Sequence, residues 1–167
     1  MLRPLDLIIA LWLALQTEPK TQLQIAAALG VAQSNVSRSL AQLERSGLLR
    51  AGAVQTGALL TLLDAVRVVF PAELGRRTRG LATAADGPAT ADRLVGEERT
   101  VWPDDGGAEV GTSLTPLHSC VVQASRCDAA FYEVISLVEL LRTGRVREVA
   151  LARELLEARL VGAPAAR

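Results

Sequence analysis

A mainly α-helical fold with minor β structure is predicted from three observations. Half of the 167 residues are apolar but only 3% are aromatic, so the core must be built largely from Ala, Leu and Val. That composition favours packed helices over stacked sheets. Apolar residues recur at helical spacing between Leu5 and Leu49 and again between Phe131 and Leu160. Pro4, Pro19, Gly30, Gly47 and Gly144 stand at the ends of these runs, where helix starts and stops are expected.

The first helix opens at Pro4, whose missing N–H costs nothing in a first turn. Leu5, Ile8, Ile9, Trp12 and Leu15 or Gln16 follow on one face, and Glu18-Pro19 ends it. The spacing assigns Trp12 to the core. Thr21 and Gln24 then form a capping box: the hydroxyl accepts from a free N–H of the first turn and the amide reaches back. Ile25, Ala26 and Leu29 mark the apolar face of a short helix, and Gly30 follows where the departing chain needs positive φ. Val31 plugs the turn. The next helix begins near Gln33, carries Val36, Leu40 and Leu43 on its inner face, and ends at Gly47.

Helix, glycine turn and helix in this order constitute a helix-turn-helix. The motif A-x-x-x-G-V-x-x-S-x-V-S-R-x-L-x-x-L-x-x-x-G-L-L falls on Ala26, Gly30, Val31, Ser34, Val36, Ser37, Arg38, Leu40, Leu43, Gly47, Leu48 and Leu49. Over these residues the chain resembles bacterial helix-turn-helix regulators, in particular the MarR- and IclR-like winged-helix group. The resemblance implies a DNA-binding domain. The outer face of the second helix points the same way on its own chemistry. Gln33, Ser34, Asn35, Ser37, Arg38 and Gln42 are polar and free of carboxylates until Glu44. Arg suits guanine in the major groove, and Asn or Gln suits adenine. With Thr21 and Gln22 at the start of the preceding helix, these eight residues form the expected DNA-binding set.

Beyond Leu49 a winged-helix protein shows a hairpin with basic residues at its tip. Arg50 to Gln55 is brief and carries one charge, so a reduced or absent wing is expected. Leu59, Leu62, Leu63 and Val66 are helical in period, with Thr56 as the cap. Arg67 to Phe70 is β-branched and closed by Pro71, which predicts a short strand. Arg76-Arg77-Thr78-Arg79-Gly80 is the densest positive cluster and reads either as a phosphate clamp or, the favoured reading, as a solvated loop that neutralises nearby carboxylates. From Ala82 to Thr112 apolar periodicity fails and acids outnumber bases, which predicts a long acidic loop with Trp102 as its anchor to the core. Leu114 to Val122 predicts a short strand or extended crossing. Asp128 then caps a helix carrying Phe131, Ile135 and Val138. Gly144 separates it from a last helix with Val149, Leu156 and Leu160, making an antiparallel hairpin, and Gly162-Ala163-Pro164 are expected to fray. The units expected are 1–50 for DNA binding, 51–81 as helix plus strand, 82–112 as acidic loop, and 113–161 as hairpin.

Eighteen basic residues balance eighteen acidic ones, so DNA affinity must rest on a local patch and gains from dimerisation. The flanks of the hairpin, Val134, Leu137 and Leu140 on one helix and Leu151 and Leu155 on the other, offer a surface for a second copy or for the chain's own core. His118, Cys120 and Cys127 match no common zinc spacing, and neither a nucleophile with its orienting partner nor a phosphate-binding glycine loop is present. No enzyme, metal or cofactor is therefore expected. Leu7–Leu15 is too short to span a bilayer and Asp6 interrupts the run before it, so no membrane association and a cytoplasmic location are expected. The expected partners are double-stranded DNA and a second copy. A small-molecule effector pocket behind the acidic loop is compatible with this. The alternative is a protein-interaction module that keeps the helix-turn-helix as a scaffold.

Overall fold

The computed structural model describes residues 1–162; the expected fraying at Ala163-Pro164 lies outside the described residues. The fold is mainly α with minor β, as the composition predicts. Its first helix, α1 (Pro4–Ala14), is buried from Leu5 through Trp12. A helix apolar on all sides needs neighbours on all sides. Helix α3 (Gln33–Arg45), itself packed on α2 (Gln22–Leu29), covers one side, and α7 (Ala129–Thr143) with α4 (Thr56–Asp64) covers the rest. The one charge on α1, Asp6, is fully buried. Its carboxylate accepts the backbone N–H of Arg3 at 2.7 Å and the Arg3 guanidinium at 2.9 Å. The same guanidinium donates to the buried Ser39 hydroxyl at 3.2 Å, which ties the start of α1 to the middle of α3.

The wing is reduced but present. Strands β1 (Leu49–Arg50) and β2 (Ala53–Val54) pair antiparallel across a two-residue turn, Ala51-Gly52. Both turn residues have positive φ, the geometry whose twist matches the flanking strands. Residues 67–70, expected as a strand, fall instead in helix α5 (Val66–Val69) and its C-cap Phe70. Val66 and Phe70 are buried at i, i+4 spacing while Val68 and Val69 are exposed. Four residues are too few for β-branching to override a period continued from α4.

Residues 82–112, expected as a loop, contribute one whole strand and most of another to a small β unit. Strand β3 (Leu74–Ala82) pairs antiparallel with β4 (Thr100–Pro103) and with β5 (Glu109–Leu114); β4 and β5 then pair parallel, closing the ring. Closure leaves the short strands without the open edges that would otherwise invite association. A turn of 3-10 helix, Ala84–Asp86, sits between this unit and α7. The basic cluster expected as a loop lies on β3, with Arg76, Arg77 and Arg79 exposed. The crossing expected from Leu114 is strand only as far as that residue; α6 (Val121–Cys127) follows a turn.

Trp102 is the anchor of the β unit. It is fully buried, and its indole N–H donates to Glu139 Oε1 at 3.2 Å. The same oxygen accepts the backbone N–H of Leu117 at 3.1 Å. The other carboxylate oxygen of Glu139 is bound by Arg142, whose Nε donates to the carbonyl of Phe70 at 2.7 Å and whose other nitrogen donates to that of Pro71 at 2.9 Å. Burial pushes the Glu139 carboxyl above the usual range, and Arg142 opposes that shift. One buried ion pair on α7 thus holds β4, the turn before α6 and the connection from α5 to β3.

Asp128 caps α7 through Phe131 N–H at 3.0 Å, and α8 (Val146–Val161) returns antiparallel against it. Val134, Leu137 and Leu140, which the sequence offered to either a partner or the core, are fully buried within the one chain. On α8 the flanks Leu151 and Leu155 are half-buried. Among the described residues no helix is long and apolar enough to cross a membrane.

Candidate nucleic-acid interface

Helix α3 presents its outer face because its inner one is fully spent. Val36, Ser39 and Leu43 are buried, and Leu40 is half-buried at the groove beside them. The spacing of these positions turns Gln33, Ser34, Ser37 and Arg38 outward, and all four are exposed. Asn35 and Gln42 flank them and are half-buried. Among the described residues Arg38 forms no ion pair, so its guanidinium is free to meet a base or phosphate.

The preceding helix is set by the capping box read in the sequence. The Thr21 hydroxyl accepts from Gln24 N–H at 3.2 Å, and the Gln24 amide oxygen accepts from Thr21 N–H at 2.9 Å. Thr21 is exposed and Gln22 half-buried at the start of α2. Gly30 takes φ of 65°, and its N–H closes on Ala26. Ala26 itself is buried, which lets α2 and α3 cross closely.

Three contributors to this surface were not singled out in the sequence. The N-cap of α3 is Ala32, which has no side-chain acceptor, so the N–H groups of Gln33 and Ser34 have no side-chain cap. Such a terminus suits an anionic oxygen such as a phosphate. Ala41 is exposed one turn after Ser37 and Arg38 and offers a methyl group of the kind that meets thymine. Arg45 and Arg50 are exposed at the end of α3 and on the wing, and extend the basic edge. Ala41 was passed over because only polar residues were sought; Arg45 and Arg50 counted in the sequence toward a local basic patch and not toward the recognition face. The wing tip, Ala51-Gly52, carries no charge.

Elsewhere the chemistry is sparse. His118 Nδ1 accepts the N–H of Cys120 at 3.2 Å, and burial lowers the imidazole pKa. Burial pushes the Cys120 thiol up to about 11, so it stays protonated at neutral pH. Cys127 is exposed. Among the described residues no group of three or more His, Cys, Asp or Glu is placed to hold a metal ion. Arg77 of the basic strand lies 3.8 Å from Glu98, and Arg79 donates to the carbonyl of Gly107 at 3.2 Å.

Comparison with known proteins bears on this surface directly. Residues 12–51 match the family model described as bacterial regulatory protein, arsR family. The match begins in the last turn of α1 and ends in the wing, so it takes in all of α2, α3 and β1. No curated protein and no solved structure matches the chain. The matched family is one of transcription regulators, and residues 12–51 are accordingly the helix-turn-helix of a DNA-binding transcriptional regulator of bacterial type.

Proposed function

We propose that the chain binds double-stranded DNA sequence-specifically, with α3 in the major groove, and represses transcription by occupying its site as a homodimer in the cytoplasm. The observation that carries this is the exposed, carboxylate-free face of α3 within the segment that matches a regulator family. Gln33, Ser34, Asn35, Ser37, Arg38 and Gln42 read base edges, while Thr21 and Gln22 sit at the phosphate flank. The motif's likeness to MarR- and IclR-like regulators belongs to the same reading. Dimerisation follows from arithmetic: one helix reads a few base pairs, and two copies on half-sites about one helical turn apart double the readout. The surface for it lies outside α7, whose apolar flanks are taken up within the chain.

The second reading, a scaffold that binds protein, is favoured by the zero net charge and the uncharged wing tip. A salt titration on mixed genomic DNA separates the two. DNA binding through phosphates gives a steep linear fall of log affinity with log salt; a scaffold gives no measurable binding at any salt. Within the first reading, Arg38→Ala is expected to cost about 1–3 kcal/mol on a selected site and far less on random DNA. Equal losses on both would make Arg38 a phosphate contact.

A further inference from the structure

We propose that the groove where the helix-turn-helix, the wing and the end of α8 meet is a binding site for a small lipophilic cation. Its volume is about 630 Å³, within the range of sites for drug-sized molecules. The floor is apolar and drawn from several elements: Leu13 of α1, Ile25 of α2, Leu40 of α3, Val54 of β2 and Leu160 of α8. Leu13, Leu40 and Val54 are only half-buried, so their apolar surface stays open to an occupant. The opening carries two exposed carboxylates, Glu18 and Glu44, against one half-buried ammonium, Lys20. Among the described residues none of the three is in an ion pair.

A second source of negative potential is independent of those side chains. The C-terminal ends of two helices line the groove, α1 through Leu13 and Ala14 and α8 through Leu160 and Val161. Helix C-termini favour cations within their last turn. The last turn of α1 holds no basic residue. That of α8 holds Arg159, but its guanidinium is turned to Glu133 at 2.8 Å. Carboxylates and helix ends therefore act together on an apolar cavity, and a lipophilic molecule with one positive charge complements both. The second cavity, about 580 Å³ behind residues 94–98, draws none of its lining from the helix-turn-helix or the wing.

Because Leu40 and Glu44 belong to α3 and Ala53 and Val54 to the wing, an occupant bears on the same elements that would meet DNA. A ligand favouring one placement of α3 shifts DNA affinity by its differential affinity for the two placements. This coupling rests on the DNA-binding reading above; the binding site itself does not.

The test is calorimetry on the full chain with tetraphenylphosphonium, and with tetraphenylborate as the same shape in opposite charge. Saturable one-to-one binding of the phosphonium is expected, with the borate at least tenfold weaker. Ala14→Phe, which fills the groove, is expected to abolish binding with the helical circular dichroism retained. Should that variant fail to fold, Ala53→Phe fills the groove from the half-exposed wing strand. Glu44→Gln is expected to weaken binding about two- to fivefold, the range for an exposed charge. Equal binding of the borate, absence of phosphonium binding, or binding unchanged in a folded groove-filling variant would overturn the site. Phosphonium is then added to the complex with selected DNA, where a loss of affinity of about fivefold or more is expected. Binding of phosphonium with no effect on DNA overturns the coupling alone, and a chain that binds no DNA still reports on the site.

Discussion

Glycine serves two different ends in the two halves of the molecule. In the helix-turn-helix Gly30 stands at φ of 65° with nothing within 4 Å of where a Cβ would be. Its role is backbone conformation alone. In the β unit Gly80 has no such φ, but a Cβ there would lie 1.9 Å from the carbonyl oxygen of Trp102; one at Gly111 would lie 2.3 Å from that of Arg99. Those residues are glycine because three strands close on each other. The contrast extends to what holds each half. The N-terminal region is built from local caps and apolar stripes, with long-range packing from α7 over α1. The β unit is fastened to the helices by bonds far apart in sequence: the buried Glu139–Arg142 pair through Trp102, the Tyr132 hydroxyl donating to the carbonyl of Ala82, and Arg126 on Asp104. A region of local signals tolerates a local fault, whereas a region held by long-range bonds should fail first where the most buried of them, the Glu139–Arg142 pair, is broken.

The largest effect expected follows directly. Arg142→Ala leaves the Glu139 carboxyl buried beside Trp102 and Leu117 with its cation gone, and is expected to cost about 3–5 kcal/mol. The near-ultraviolet signal of Trp102 should be lost before the helical signal. Coincident loss of both would show that the two halves unfold as one, and the comparison would fail. Gly80→Ala is next, at about 3 kcal/mol or somewhat less, since the obstacle is backbone and cannot rotate away. Chemical denaturation of both variants gives the ranking.

Gly30→Val sharpens the contrast from the other side. A β-branched residue at positive φ is expected to cost about 1–2 kcal/mol, all of it from its own backbone because the space around it is open. Gly30→Asn, which tolerates that region better, should recover part of the loss. Equal melting temperatures for the two variants would mean that the turn is held by something other than the backbone of Gly30.

The same contrast explains what could be read in advance. Thr21, Gln24 and Gly30 act on neighbours within a few residues, so a pattern of spacing finds them. The outer face of α3 was legible for the same reason, because Val36 and Leu43 fix which side faces in. Strands β3 and β4 pair across the residues from Ala82 to Thr100, and no local period announces it. The acids of that stretch also suggested a solvated loop, whereas Asp86 accepts the N–H of Thr100 at 2.8 Å and helps bring β4 into register. Trp102 was legible as an anchor; its partner Glu139 was not, because a lone acid on an apolar helix gives no sign of what it will meet. The strand expected from Arg67 to Phe70 failed on length, four residues being compatible with either period.

The smallest effect concerns His118, at the turn that joins the β unit to α6. Burial lowers its pKa, and its Nδ1 lone pair is already used by the N–H of Cys120. A proton at Nδ1 would have to displace that bond. The unfolded chain therefore binds the proton more readily than the native one. On the linkage relation the contribution is complete above the ordinary imidazole value of about 6.5, and is lost as pH falls from there toward the lowered value. His118→Asn keeps an oxygen acceptor two residues before Cys120 and removes the titration. Melting temperatures of the two proteins, followed between about pH 7.5 and 5, are expected to converge as the pH falls, with the wild type losing more. Carboxylates titrate in both proteins and cancel in the difference. A parallel fall in the two would place the local hydrogen bond outside the pH dependence, and the joint between the halves would then be insensitive to protonation.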